Sequence, residues 1–120
     1  MHVNEVKFFD VIPIDSYGPG FFRVEGKVLK NGIVCSSSGV FLWKGYEDFT
    51  CLENLQNKID VVFIGTGNEI YQIPEYFRKR IEKIGLALEI MSTPSACRTY
   101  NVLLSEGRRI AIAALPVEER

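Results

Sequence analysis

The sequence predicts an α/β domain with a mixed central sheet, N-terminal β-hairpins and two helices packed on one face. The apolar run Val61–Ile64 is typical of a strand buried on both faces, and Gly65-Thr66-Gly67 follows it directly. Short strand-like segments and turns fill the first half of the chain, whereas strands and helices alternate in the second half. This order of elements predicts a mixed sheet with helices packed against it.

Length and composition are those of a single soluble domain, residues 1–120. A chain of 120 residues can bury roughly two-thirds of its unfolded surface without a metal or a disulfide. The apolar fraction is 47%, and the formal net charge of -1 gives no general attraction to nucleic acid or to anionic membranes. The basic residues Arg78, Lys79, Arg80 and Lys83 are interpreted as the solvated face of a helix.

Cysteine and histidine content argues against a disulfide framework, a metal site and a histidine-assisted nucleophile. The three cysteines, Cys35, Cys51 and Cys97, have no Cys-x-x-Cys spacing, which favours a reducing compartment. The only histidine, His2, lies beside the N-terminus. No signal peptide or apolar run of membrane-spanning length is present in the sequence, so we expect a cytoplasmic protein without a transmembrane segment.

The first half of the chain reads as strands joined by tight turns. Asn31-Gly32 has the preferred chemistry of a two-residue hairpin loop and is expected to join Lys27–Lys30 to Ile33–Ser36. Phe49, Leu52 and Leu55 recur at three-residue spacing, which indicates a short helix. The other expected features are a strand at Val6–Phe9, a turn at Tyr17–Gly20, a strand at Phe21–Val24, a loop at Ser36–Gly39 and a strand at Val40–Trp43.

The second half contains two helices between strands. The first begins at Pro74, carries Phe77, Ile81 and Ile84 on one face, and ends at Gly85. The second has Thr93 as its N-cap and Pro94 in its first turn, and it ends at Gly107. Strands are expected at Leu86–Met91 and Ile110–Leu115.

The glycine loop after Val61–Ile64 matches a dinucleotide-binding turn only in part. The Rossmann pattern needs a third glycine where this chain has Ile70, and the next helix starts late, near Pro74. A P-loop is excluded because no Gly-Lys-Ser/Thr follows. A tight turn at the end of a buried strand is the favoured interpretation, with a nucleotide site as the lesser alternative.

The segment Thr93–Asn101 opens a helix after a strand. If the two preceding strands are parallel neighbours, this segment and the glycine loop lie at the same sheet edge, where α/β sheets place ligands. Cys97 is either a small buried core cysteine or, near a helix start and beside Arg98, a thiol of lowered pKa. Arg98 could bind an anion, be solvated or tie the two loops together, and the structural tie is favoured.

Two stretches, Ile-Asp-Val-Val-Phe-Ile-Gly-Thr-Gly-Asn and Thr-Pro-Ser-Ala-Cys-Arg-Thr-Tyr-Asn, resemble the MTH-type domain-of-unknown-function family, which includes the mitochondrial respiratory complex I assembly factor 3 and the adipogenesis-associated MTH-domain protein. The resemblance covers nearly the whole chain and indicates a bacterial-type member of the family. The resemblance implies a three-layer β/β/α domain without established catalytic residues. The positions that match the family are Gly65, Thr66, Gly67, Cys97, Arg98, Thr99 and Asn101.

Two functions remain open at the level of sequence. The leading hypothesis is a non-enzymatic binding module that docks a protein partner; by resemblance, this partner is a respiratory complex subunit or assembly factor. The alternative is a small-molecule or anion-binding protein or enzyme with a pocket formed by the Gly65–Asn68 and Thr93–Arg98 loops. We expect no cofactor, metal ion or nucleic-acid partner. The sequence neither predicts nor excludes a homo-oligomer. The candidate pocket residues are Gly65, Thr66, Gly67, Asn68, Thr93, Cys97, Arg98, Thr99 and Asn101.

Overall fold

The computed structural model describes residues 11–119, which form two sheets and three helices. The predicted strand Val6–Phe9 lies outside the described residues. A three-stranded antiparallel sheet has the order β1-β2-β3, with strands Ser16–Gly18, Phe21–Val24 and Lys27–Lys30. A five-stranded mixed sheet has the order β5-β4-β8-β6-β7, with β4 at Gly32–Ser36, β5 at Gly39–Trp43, β6 at Val61–Gly65, β7 at Ala87–Met91 and β8 at Ile110–Ala114. The helices are α1 (Thr50–Glu53), α2 (Glu75–Lys83) and α3 (Thr93–Ser105).

Asn31-Gly32 does not form the predicted hairpin. Among the described strands, β3 pairs only with β2, whereas β4 pairs with β5 and β8, so the chain changes sheets at Asn31. Asn31 has the positive φ of 73° that the dipeptide suggested. The real β2–β3 loop is Glu25-Gly26, where both φ angles are positive, as a two-residue hairpin loop requires. Asn-Gly chemistry therefore marked the bend correctly but not the pairing of the strands.

The parallel part of the large sheet confirms the predicted strand–helix alternation. β6 pairs in parallel with β7 on one side and with β8 on the other. The chain moves outward from β6 to β7 through α2, then returns past β6 to β8 through α3. Connections between parallel strands of one sheet are almost always right-handed. The connection through α2 and the connection through α3 cross the sheet in opposite directions, so the two helices lie on opposite faces.

Two hydrophobic cores lie on the two faces of the five-stranded sheet. Phe77 and Ile81 of α2 pack in one core with Val62 and Ile64 of β6. Ala96, Cys97, Tyr100 and Leu104 of α3 pack in the other core with Phe63 of β6 and Phe22 of the small sheet. The α/β fold class is thus confirmed, but the expectation that both helices share one face is wrong, because strand order could not be deduced from the sequence.

The helices begin and end close to the predicted residues, but the N-cap of α3 is not the predicted one. α2 begins after Pro74 and ends before Gly85, while α3 ends before Gly107. The N-cap of α3 is Ser92, whose Oγ accepts from the Ser95 N–H at 3.4 Å, so the expectation that Thr93 caps this helix is wrong. Thr93 is free for other bonds. In the part of the chain that the structure covers, no helix is long and apolar enough to cross a membrane.

Candidate functional site

The carboxyl ends of β6, β7 and β8 meet at one edge of the five-stranded sheet. Gly65 is level with Met91 of β7 and with Ala114 of β8. The glycine loop after β6, Ser92 and Thr93 after β7, and Leu115 after β8 therefore lie side by side. The sequence left open whether the glycine loop and the start of α3 meet; in the structure β6 and β7 are parallel neighbours, and the two segments are in contact.

Thr93 joins all three chain segments at this edge. Its Oγ1 accepts from the Gly67 N–H at 2.9 Å and donates to the Leu115 carbonyl at 2.6 Å. Its own N–H donates to the Gly67 carbonyl at 2.8 Å, and the residue is fully buried. A Cβ at Gly65 would lie 2.9 Å from this hydroxyl, so the close approach requires glycine. The structural tie that the sequence assigned to Arg98 is made by Thr93.

Thr66 shapes the loop that continues toward α2. Its buried hydroxyl donates to the Glu69 carbonyl at 2.7 Å and accepts from the Tyr71 N–H at 3.0 Å. These bonds fold residues 66–71 back on themselves. They also fix Ile70 and Tyr71 on the surface, where the two residues are 63% and 56% exposed.

Cys97 belongs to the core between α3 and the large sheet. It is 4% exposed, and burial, together with the neighbouring Cys35 thiol, raises the pKa of Cys97 to about 12. A thiol of that pKa is protonated at neutral pH and is a poor nucleophile. The structure supports the buried-cysteine interpretation and not a thiol of lowered pKa.

The remaining candidates on α3 lie apart from the glycine loop. Arg98 is exposed and makes no hydrogen bond or ion pair with any described residue, and Thr99 is half-buried. The Asn101 amide instead binds the backbone of Ile14, accepting from its N–H and donating to its carbonyl, both at 2.9 Å. Cys97, Arg98, Thr99 and Asn101 are thus not brought together with the loop as one pocket.

A cavity of about 570 Å³ lies beside the glycine loop, bounded by the C-terminal segment. Asn68 holds that segment with two bonds to the backbone of Glu118, of 2.7 and 3.1 Å. The residues that line this cavity, called the acidic cavity below, are Thr66, Gly67, Asn68, Glu69, Tyr71, Leu115, Pro116, Glu118 and Glu119. Among the residues that the structure describes, three carboxylates and no basic side chain line this cavity, and their negative charge opposes binding of an anion.

A second cavity of about 650 Å³ lies on the other side of Tyr71. It is called the β7 cavity because Ile90 of that strand forms one wall. Its lining residues are Ile70, Tyr71, Gln72, Ile73, Glu75, Arg78 and Ile90. No motif in the sequence marks these residues as a binding site, although Ile70, Tyr71 and Ile73 form an apolar segment without helical or strand periodicity. In residues 11–119, no group of three or more His, Cys, Asp or Glu is placed to hold a metal ion.

Comparison with known proteins gives a consistent family assignment. Residues 14–115 match the family described as "Protein of unknown function (DUF498/DUF598)". An uncharacterized protein of Rhodobacter capsulatus is 41% identical over 117 residues, which cover 98% of this chain and 94% of that protein. The crystal structure of an outer membrane protein from Bartonella henselae superposes with a TM-score of 0.79 at 36% identity, covering 88% of this chain and 95% of that one.

A more distant similarity connects the chain to a respiratory assembly factor. NADH dehydrogenase (ubiquinone) 1 alpha subcomplex assembly factor 3 of Rattus norvegicus is 29% identical over 117 residues, or 92% of this chain. The match spans 63% of the length of that assembly factor.

Proposed function

Because the chain belongs to the DUF498/DUF598 family, we propose that it is a non-enzymatic docking module that binds a protein partner during assembly of a respiratory NADH dehydrogenase. The partner is a subunit of that complex or another of its assembly factors. The cytoplasmic location expected from the sequence is part of the same proposal.

The observation that carries this proposal is the exposed pair Ile70 and Tyr71 on a fixed loop. Large apolar and aromatic side chains of this kind are the usual anchors of protein interfaces. The bonds of Thr66 to Glu69 and Tyr71 hold the loop in one conformation before a partner binds. A preorganised anchor lowers the ordering cost of association, which favours binding.

Two further features support protein binding over small-molecule binding at this edge. Tyr71 stands between the acidic cavity and the β7 cavity, so a partner that covers it would contact both. The pocket expected between Gly65–Asn68 and Thr93–Arg98 receives no support from the geometry, because hydrogen bonds close the space between the two loops. Support for the assembly role itself comes from the 29% identical relative in Rattus norvegicus, an NADH dehydrogenase assembly factor.

The test is affinity capture of the tagged chain from its native organism. The double variant Ile70→Ser/Tyr71→Ala removes both anchors, and Tyr17→Ala removes another exposed tyrosine as the matched control. We expect the wild-type chain and the control to recover identified subunits or assembly factors of NADH dehydrogenase. Loss of two anchor side chains costs enough binding energy for the double variant to recover about tenfold less.

Equal recovery by the double variant would remove these two residues from the interface. If no NADH dehydrogenase component is recovered by any form, the assembly role is wrong.

A further inference from the structure

β7 is an edge strand of the five-stranded sheet, and no strand in residues 11–119 pairs with its outer side. The N–H of Ala87 donates to Asp60, and the carbonyl of Met91 accepts from Thr66, so both residues direct their backbone groups toward β6. Backbone direction alternates along a strand, which turns the N–H and C=O groups of Leu88 and Ile90 away from the sheet. No described residue hydrogen-bonds to these outward groups.

The exposed edge runs directly beside the β7 cavity. Leu88 and Ile90 point their side chains toward the core on the α2 side, and Ile90 also lines the cavity with Ile70 and Ile73. A strand added outside β7 would place alternate side chains on that same side. One apolar side chain of the added strand would therefore enter the β7 cavity, the usual combination of main-chain bonds and side-chain pocket in strand addition.

The charge of Glu89 distinguishes between a second copy of this chain and a different protein as the strand that adds to this edge. Glu89, exposed, is the middle residue of β7. If a second copy paired with β7 in antiparallel fashion about its centre, two Glu89 carboxylates would lie opposite each other, which is destabilising. A Lys or Arg at that position of a different chain would pair favourably.

The surroundings of the edge add to this preference for a basic partner. The acidic cavity contributes Glu69, Glu118 and Glu119, and Glu75 lies on the wall of the β7 cavity. Within residues 11–119, Arg78 is the one basic residue that lines either cavity, and its guanidinium lies 3.8 Å from Glu82 in an ion pair. The described residues that line the two cavities thus carry four carboxylates and one guanidinium.

We propose that an extended, basic segment of a partner protein adds to the outer edge of β7 as a sixth strand, with an apolar side chain in the β7 cavity and a Lys or Arg facing Glu89. This mode of binding rests on the proposed docking function for the existence of a protein partner. It does not require that the partner belong to NADH dehydrogenase.

The test uses a synthetic probe, a capped peptide of alternating valine and lysine, and a matched peptide of alternating valine and glutamate. Amide hydrogen exchange of the full chain is followed residue by residue. We expect the lysine peptide to slow the exchange of the Leu88 and Ile90 N–H groups, because these groups gain hydrogen-bond partners. The glutamate peptide should leave their exchange unchanged.

Two charge-reversal variants then test whether the Glu89 carboxylate itself contributes to binding of the lysine peptide. Glu89→Lys should weaken the lysine peptide by about twofold to fivefold, the range for one cross-strand charge pair. The matched control Glu106→Lys makes the same change at an exposed residue after α3 and should bind as the wild type does. Unchanged exchange at Leu88 and Ile90 with saturating lysine peptide, or equal binding of both peptides, would overturn the β7-edge proposal.

The two proposals can fail separately. Capture of NADH dehydrogenase components without protection of Leu88 and Ile90 keeps the docking function and rejects the edge site. Protection of these amides by the lysine peptide without such capture keeps the edge site and rejects the assembly role.

Discussion

Thr93 shows how one hydroxyl group can fix the geometry of a sheet edge. Its Oγ1 accepts a hydrogen bond from the Gly67 N–H and donates one to the Leu115 carbonyl, and Thr93 itself is fully buried. Replacing Thr93 by valine keeps the shape but leaves a backbone N–H and a carbonyl without this partner. We expect a loss of about 2 to 3 kcal/mol in the free energy of unfolding, measured by urea denaturation.

Thr93→Ser is the matched control for that experiment. It keeps the hydroxyl and removes one methyl group, so the expected cost is about 1 kcal/mol. If the valine variant is no less stable than the serine variant, the hydroxyl does not hold the edge as described.

The buried thiols of Cys35 and Cys97 predict a loss of stability in alkali. Burial raises the pKa of Cys35 to about 11 and that of Cys97 to about 12, above the ordinary thiol value of 9.0. Above pH 9 the unfolded chain therefore releases these protons before the folded chain does, which favours unfolding. Each thiol should lower the free energy of unfolding by up to about 1.4 kcal/mol per pH unit until its folded pKa is reached.

The measurement is urea denaturation between pH 8 and pH 10, where the proton release begins. The double variant Cys35→Ala/Cys97→Ala should have a flatter pH dependence, whatever its absolute stability. The pKa of the half-buried Cys51 thiol is also raised, by burial and by the Asp48 carboxylate, so Cys51→Ala should flatten the profile less than the double variant does. A wild-type profile as flat as that of the double variant would contradict the buried environment of these cysteines.

At the scale of single elements, Gly32 is required by contact with backbone atoms of neighbouring strands. A Cβ at this position would lie 2.7 Å from the Trp43 carbonyl oxygen and 3.1 Å from that of Ala114. Gly32→Ala should therefore destabilise the protein by about 1 to 3 kcal/mol in thermal or urea unfolding. Asn31→Gly, the control, suits the positive φ of Asn31 and should change stability little. Equal stability of Gly32→Ala and the wild type would contradict the close packing of β4 between β5 and β8.

Local signals predicted most elements but not their partners. Hydrophobic spacing identified α2 and the strands β6 and β8, and Gly85 and Gly107 marked helix ends. Asn31-Gly32 gave the bend without the pairing, because a dipeptide specifies local dihedral angles and not which strand lies alongside. The role of Thr93 was missed for a similar reason, since its bonding partners come from residues 26 and 22 positions away in the chain.

At the scale of the whole molecule, the features that could not be predicted from the sequence follow from the order of strands in the five-stranded sheet. Return of the chain past β6 put α2 and α3 on opposite faces, and it brought Leu115–Glu119 beside the glycine loop. The acidic cavity therefore depends on a segment near the C-terminus that carried no motif. Ile70 and Tyr71 were visible as an apolar segment in the sequence, but their exposure could be known only once the loop of Thr66 was seen.

The central claim is that Ile70 and Tyr71 face a partner in NADH dehydrogenase assembly, and site-specific photo-cross-linking tests it most directly. A photoreactive amino acid replaces Tyr71 in the native organism, and the same replacement at Tyr17 is the control. Cross-linked proteins are identified by mass spectrometry. We expect position 71, and not position 17, to cross-link to a subunit or assembly factor of NADH dehydrogenase. The absence of such a product from position 71, or the same product from both positions, would contradict the claim.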